Sequence, residues 1–134
     1  MIWTTIRFVA LIAVSAWMNS SAMALNDERL NRELLRLDPE TRLEQTCDTE
    51  VMFQINRNQP RFEADKVIAY TFGDPTFGEN SIAAPGGVFR SRGNWYHISY
   101  NCMTGPKHLD AHSLHYEIGP EIPKSLWTKY SLYN

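Results

Sequence analysis

No run of basic residues, no second long apolar stretch, no repeat and no low-complexity tract occurs in the 134 residues, and only two cysteines are present. Each shortage excludes something. With a formal charge of −2 and no basic stripe, the chain lacks the electrostatic footprint that holds nucleic acid or an anionic membrane surface. No serine is flanked by the glycines of a nucleophile elbow. No cysteine stands directly at the end of the first apolar run, so a lipid-modified N-terminus is not indicated.

What is present is unevenly distributed. Arg7 is the only charge before Asp27, and Phe8 to Met18 is apolar apart from Ser15. Asn19, Ser20 and Ser21 follow, then Ala22-Met23-Ala24. A basic start, a short apolar run and an A-x-A end form the secretory signal pattern, with cleavage expected after Ala24. A retained anchor is the alternative, but a spanning helix needs about 20 apolar residues, roughly twice this run. The expected location is the periplasm or the medium, with no stable membrane insertion after cleavage. Removing residues 1–24 leaves 110 of the 134, enough for one domain and too few for two. That remainder holds all 15 acidic residues and 12 of the 13 basic ones.

Residues 25–37 read as a lead-in, with Leu30, Leu34 and Leu37 at helical spacing suggesting a short helix. The domain proper is expected over 38–134. Asp38-Pro39 is a helix start: the carboxylate can cap open amides, and proline in the first turn forfeits no hydrogen bond. Leu43, Cys47, Val51 and Ile55 then recur every four residues, predicting one apolar helix face to about Asn56. Four strands follow, over 67–72, 82–90, 95–102 and 109–118, each bounded by glycine, proline or polar turns. Pro85 and Gly86-Gly87 suggest an edge or a bulge in the second. Tyr96, Ile98, Tyr100 and Cys102 alternate on one face of the third. Gly119-Pro120 is expected to end the fourth, and 123–130 to form a short helix with Leu126, Trp127 and Tyr130 inward. The expected class is α+β: one main N-terminal helix on a four-stranded antiparallel meander, with a short C-terminal helix.

Both cysteines fall after the cleavage point, where an oxidising compartment favours pairing. Cys47 lies on the apolar helix face and Cys102 on the apolar face of the third strand. A disulfide between them is expected, with two separate buried thiols as the alternative.

Three stretches carry a family resemblance. Leu37 to Gln45 (LDPETRLEQ) is followed by Cys47, and Val88 to Tyr100 (VFRSRGNWYHISY) by Cys102. Glu121-Ile122-Pro123 precedes Trp127 and Tyr130. Together they resemble the bacterial domain of unknown function family 930. The resemblance implies an exported single domain and no activity, so it transfers no site residues.

Candidate chemistry is sparse. His108, His112 and His115 cluster near His97, but strand parity sends them to different faces, so no metal site and no cofactor are expected. A small-ligand or metal site centred on His97 and His115, on the sheet face away from the helix, is the rival reading. The acidic residues of the main helix read as a solvated face. The sequence points away from an enzyme. Trp95 and His97 also fall on the face opposite the helix, with Arg90 and Arg92 at the hairpin; aromatic residues and arginine are the types enriched at binding hot spots. Two readings stand: Arg90, Arg92, Trp95 and His97 form a partner-binding patch, or the terminal segment with Leu126, Trp127 and Leu132 folds back and covers this face. The expected function is a non-enzymatic binding or interaction module of the cell envelope, such as an inhibitor or accessory subunit, whose partner is an envelope protein or a small ligand.

Overall fold

The main helix, α1, spans Pro39–Asn58. In this computed structural model, which describes residues 28–134, the Asp38 carboxylate accepts the Thr41 amide at 3.1 Å and closes the helix start. Hydrogen bonding from Thr41, its side chain first and then this amide, holds the Asp38 carboxyl below its usual range. A helical stretch over 28–34 precedes α1 and buries Leu34. The signal sequence and its cleavage site lie outside the described residues. No helix among the described residues is long and apolar enough to cross a membrane.

The strands are β1 (Ala64–Ile68), β2 (Thr76–Phe77), β3 (Ser81–Ser91), β4 (Asn94–Thr104) and β5 (Ala111–Glu121). They form one antiparallel sheet in the order β1-β3-β4-β5, with β2 paired to the opposite end of β3 from β1. The fold is therefore α+β as expected, with five strands rather than four among the described residues. A two-residue strand is too short to carry a periodicity, which is why β2 reads as loop.

The first strand is displaced from its expected position. Ile68 pairs with Val88, and β3 bulges between Ala84 and Gly87 just beyond that pair. Pro85 in the bulge has no N–H to offer, so the chain leaves the sheet after Ile68 and turns. Phe72 then bonds to the bulge through its amide (Phe72 N to Gly86 O, 2.8 Å), and a Cβ at Gly86 would collide with the Phe72–Gly73 backbone. The β3–β4 turn holds Arg92 at φ 51° and Gly93 at φ 77°, the positive pair that a two-residue hairpin turn requires. β5 continues through Gly119-Pro120, because these residues lie at a bulge opposite the Tyr96–Ile98 stretch instead of in a turn. The expected terminal helix shrinks to a 3₁₀ turn, Lys124–Leu126; Trp127 is buried, Tyr130 half-buried and Leu126 exposed.

Two cores result, one on each side of the sheet. Between α1 and the sheet, Leu43, Val51 and Ile55 of the helix meet Phe89, Ile98 and Tyr100 of the strands, together with the disulfide Cys47–Cys102, whose S–S distance is 2.08 Å. The two independent periodicities do aim both sulfurs into one layer. On the far side Val88, Trp95, Ile122, Trp127 and Leu132 form the second core.

Candidate functional site

The sheet face away from α1 divides into two halves. Near the β3–β4 hairpin it is covered by the chain's own C-terminal segment. Ile122 N donates to Trp95 O (2.8 Å), Leu132 N to Trp127 O (2.8 Å), and Trp127 Nε1 to Ile122 O (3.0 Å), which folds the segment into a cap. Trp95 is 1% exposed beneath it, and its Nε1 donates to Tyr133 O at 3.0 Å. The His97 ring packs at a tilt on Phe72 with ring centres 4.5 Å apart, and Phe72 likewise on Tyr130 at 4.3 Å.

This placement takes Trp95 out of the partner patch read with Arg90, Arg92 and His97. Parity sends Trp95 and His97 to the outer face, as expected, but Trp95 anchors a core there. The arginines are also engaged. Arg90 grips Asp65 with two bonds (2.8 and 3.1 Å), which holds the Asp65 carboxyl low, and Arg92 reaches Glu63 at 3.2 Å. An apolar tail and a buried-type aromatic face satisfied each other, so the covered alternative is the one that holds.

Among the described residues, nothing covers the other half of the same face. Outward parity places Thr76 of β2, Ala83 of β3, Ser99, Asn101 and Met103 of β4, and Ser113, His115 and Glu117 of β5 there. They border an open trough: a depression of about 360 Å³ along Ala83, Pro85, Ser99 and Glu117 runs into one of about 430 Å³ along Ser81, Met103 and Ser113. Thr76, Ala83, Asn101 and His115 border both. Alanine and serines keep the floor low, while Met103, 56% exposed, stands at one end. A flexible thioether beside small polar groups suits contact with a protein surface better than bond chemistry.

His97 and His115 share the outer face but not a site. His115 pairs with Asn101, four residues along β4 from His97, which is about 14 Å at strand rise. Zinc–nitrogen bonds near 2 Å cannot span that gap. Among the described residues, no group of three histidine, cysteine or acidic side chains could hold a metal ion. His108 is a pin, not a solvated strand residue: it sits in the β4–β5 loop with its ring nitrogens 2.7 Å from Pro39 O and 2.8 Å from Glu79 O. His112 is exposed on β5.

One residue escaped the sequence reading. Asp48 was expected on a solvated helix face, yet it is 4% exposed, and Tyr100 donates its hydroxyl to Asp48 Oδ1 at 2.6 Å. Burial pushes the Asp48 carboxyl up to about 7, with Tyr100's donation opposing and the Glu44 charge adding to it. Burial and the neighbouring Asp48 charge raise the Tyr100 phenol. The signal was available: Asp48 stands three and seven residues before Val51 and Ile55, on their helix face. Asp48 borders a depression of about 290 Å³ between α1 and β1, but its Oδ1 is spent on Tyr100, which reads as a satisfied core pair.

No curated protein and no solved structure matches the chain significantly. A family model matches residues 34–132, from the end of the leading helical stretch to the last buried leucine of the tail. The chain belongs to the family described as Domain of Unknown Function (DUF930).

Proposed function

We propose that this protein is an exported, non-enzymatic binding module of the cell envelope, and that it holds a protein partner on the bare half of its outer sheet face. One observation carries the reading. The chain spends its own tail to cover half of this face, yet leaves the trough from Thr76 to His115 uncovered, with Met103 exposed at its end. The disulfide supports residence in an oxidising compartment, the periplasm or the medium. The signal pattern in residues 1–24 supports the same route.

A small-ligand reading rests on volume alone. About 360 Å³ falls at the low end of small-molecule sites. Such sites enclose most of their ligand, however, and this trough is open along its length.

Filling the trough tests the proposal. Ser99→Arg places a long side chain on the floor of the depression without touching either core. Envelope proteins crosslinked to the tagged native protein should be lost from this variant, retained by Tyr70→Ala on a different exposed surface, and unaffected by any shift in melting temperature. Partner capture that survives Ser99→Arg at full strength sinks the reading. A stoichiometric small-molecule adduct in native mass spectrometry, displaced by the same substitution, would transfer the site to the rival.

A further inference from the structure

A sheet that is not closed ends in two edges, and unpaired N–H and C=O groups on an edge invite another strand. The two edges here differ. On one side, β1 has five residues, is interrupted between Ala64 and Lys66, and carries Asp65 and Lys66; beside it β2 has two residues. Shortness, irregularity and charge are the features that block pairing. On the other side, β5 is eleven residues long, and its register with β4 is regular from Ser113 to Ile118, with shifts only beyond those ends.

The side chains along that regular stretch are complementary to themselves. Centred on Tyr116, the order is Leu114, His115, Tyr116, Glu117, Ile118. Reversed and laid antiparallel against itself, it sets His115 opposite Glu117, Leu114 opposite Ile118, and Tyr116 opposite Tyr116. The imidazole N–H meets a carboxylate on the outer face, twice by symmetry. On the helix face, Leu114, Tyr116 and Ile118 are only half-buried, at the rim of the main core. A matching rim would complete their burial, the cross-strand pairing that stabilises sheets.

We propose that β5 is a self-association edge: two copies of the chain pair antiparallel along it about a two-fold axis through Tyr116, giving one continuous sheet. Such an interface is isologous and closes at two copies. An axis perpendicular to the sheet keeps both α1 helices on one side and both troughs on the other. The troughs then meet across the His115–Glu117 pairs, so one partner could lie along both. The pairing stands without the binding proposal, because it needs nothing seated in either trough.

Sedimentation equilibrium of the native protein at micromolar concentrations should give twice the mass of one chain. His115→Glu sets two carboxylates opposite each other at two places and should weaken the dimer roughly tenfold. Adding Glu117→His to it restores opposite pairs with the signs exchanged and should restore the dimer. The register has its own readout. Tyr116→Cys should crosslink to itself on oxidation, because directly opposed residues in antiparallel strands fall within disulfide reach. Leu114→Cys alone should not, whereas Leu114→Cys mixed with Ile118→Cys should. A single-chain mass throughout, a dimer indifferent to His115→Glu, or Leu114→Cys crosslinking to itself would each overturn the proposal. The dimer is read by mass and crosslinking on the purified protein alone and the trough by partner capture, so the two proposals fail separately.

Discussion

The hairpin half and the far half of the outer sheet face are built by the same strands, β3 and β4, with the same alternation, yet one is a core and the other a surface. Against the hairpin half, Val88 and Trp95 meet Ile122, Trp127 and Leu132. Against the far half, Ala83, Asn101 and Met103 meet solvent. The strands' own periodicity does not decide which outcome a face receives. The terminal segment does, by lying over the hairpin half, with Tyr133 beside Arg90. The halves also differ in what lies behind them. The hairpin half is sandwiched between two apolar layers, with Phe62, Phe89 and Tyr96 in edge and stacked contacts on the helix side. The far half is covered on one side only, and behind it stand the disulfide and the Asp48–Tyr100 pair. A covalent link and a polar pair take the place of a second apolar layer there.

Removing the anchor of the covered half gives the largest expected effect. Trp95→Ala deletes a side chain 1% exposed and its bond to Tyr133, and should cost about 3–5 kcal/mol. The tail after Ile122 should then become a site of rapid limited proteolysis, which is intact in the native protein. A tail that stays protected in Trp95→Ala would mean that Trp127 and Leu132 suffice to hold the cap, and the two halves would differ less than the packing implies.

The disulfide sharpens the comparison from the other side. Replacing Cys47 and Cys102 together by alanine opens a loop of 55 residues and should cost about 3–4 kcal/mol in thermal unfolding. Hydrogen exchange should locate that loss. Amides of β2, the far end of β4 and the start of β5 should lose protection first, because no second core covers them. Uniform loss over the whole sheet would show that the link acts on the unfolded chain alone.

Much of this division was legible in the residues. The Asp38 cap and the four-residue spacing of Leu43, Cys47, Val51 and Ile55 placed the helix within two residues of its end. The alternation of β4 aimed Cys102 and Tyr100 toward it. Local chemistry dictated those elements, so local reading recovered them. β1 was placed three residues late at its start and four at its end, because its limit is a bulge in another strand and its own branched and aromatic residues continue past that limit. The site was harder for the same reason. Trp95 was assigned to the correct face, but whether that face is open depends on a segment about 30 residues later, a long-range contact that alternation cannot express. The trough floor is alanine, serine, threonine and asparagine, which do not signal a site by composition; of its border residues only His115 drew notice, and as a metal or ligand candidate.

Asp48 tests how the far half is held, with the smallest expected effect. Its carboxyl titrates at about 7 in the folded protein against 3.8 for the unfolded chain. Between those values the folded state carries a proton that the unfolded state has lost, so stability falls as pH rises from about 4 to 7 and is level outside that window. Each unit of difference is worth about 1.4 kcal/mol, which bounds the fall at a few kcal/mol. Asp38 and Asp65 work the other way and elsewhere. Hydrogen bonds depress both, so their share is present above 3.8 and is lost in stronger acid. Asp48→Asn keeps an oxygen to accept the Tyr100 hydroxyl but cannot ionise. Its denaturation midpoint should match the native protein's near pH 4, exceed it near pH 7.5, and show no decline between. If the native protein instead gains stability across that window, Asp48 is ionised in the fold well below neutrality. The charged Asp48–Tyr100 bond would then be a favourable tie beneath the bare half rather than a tolerated cost of burial.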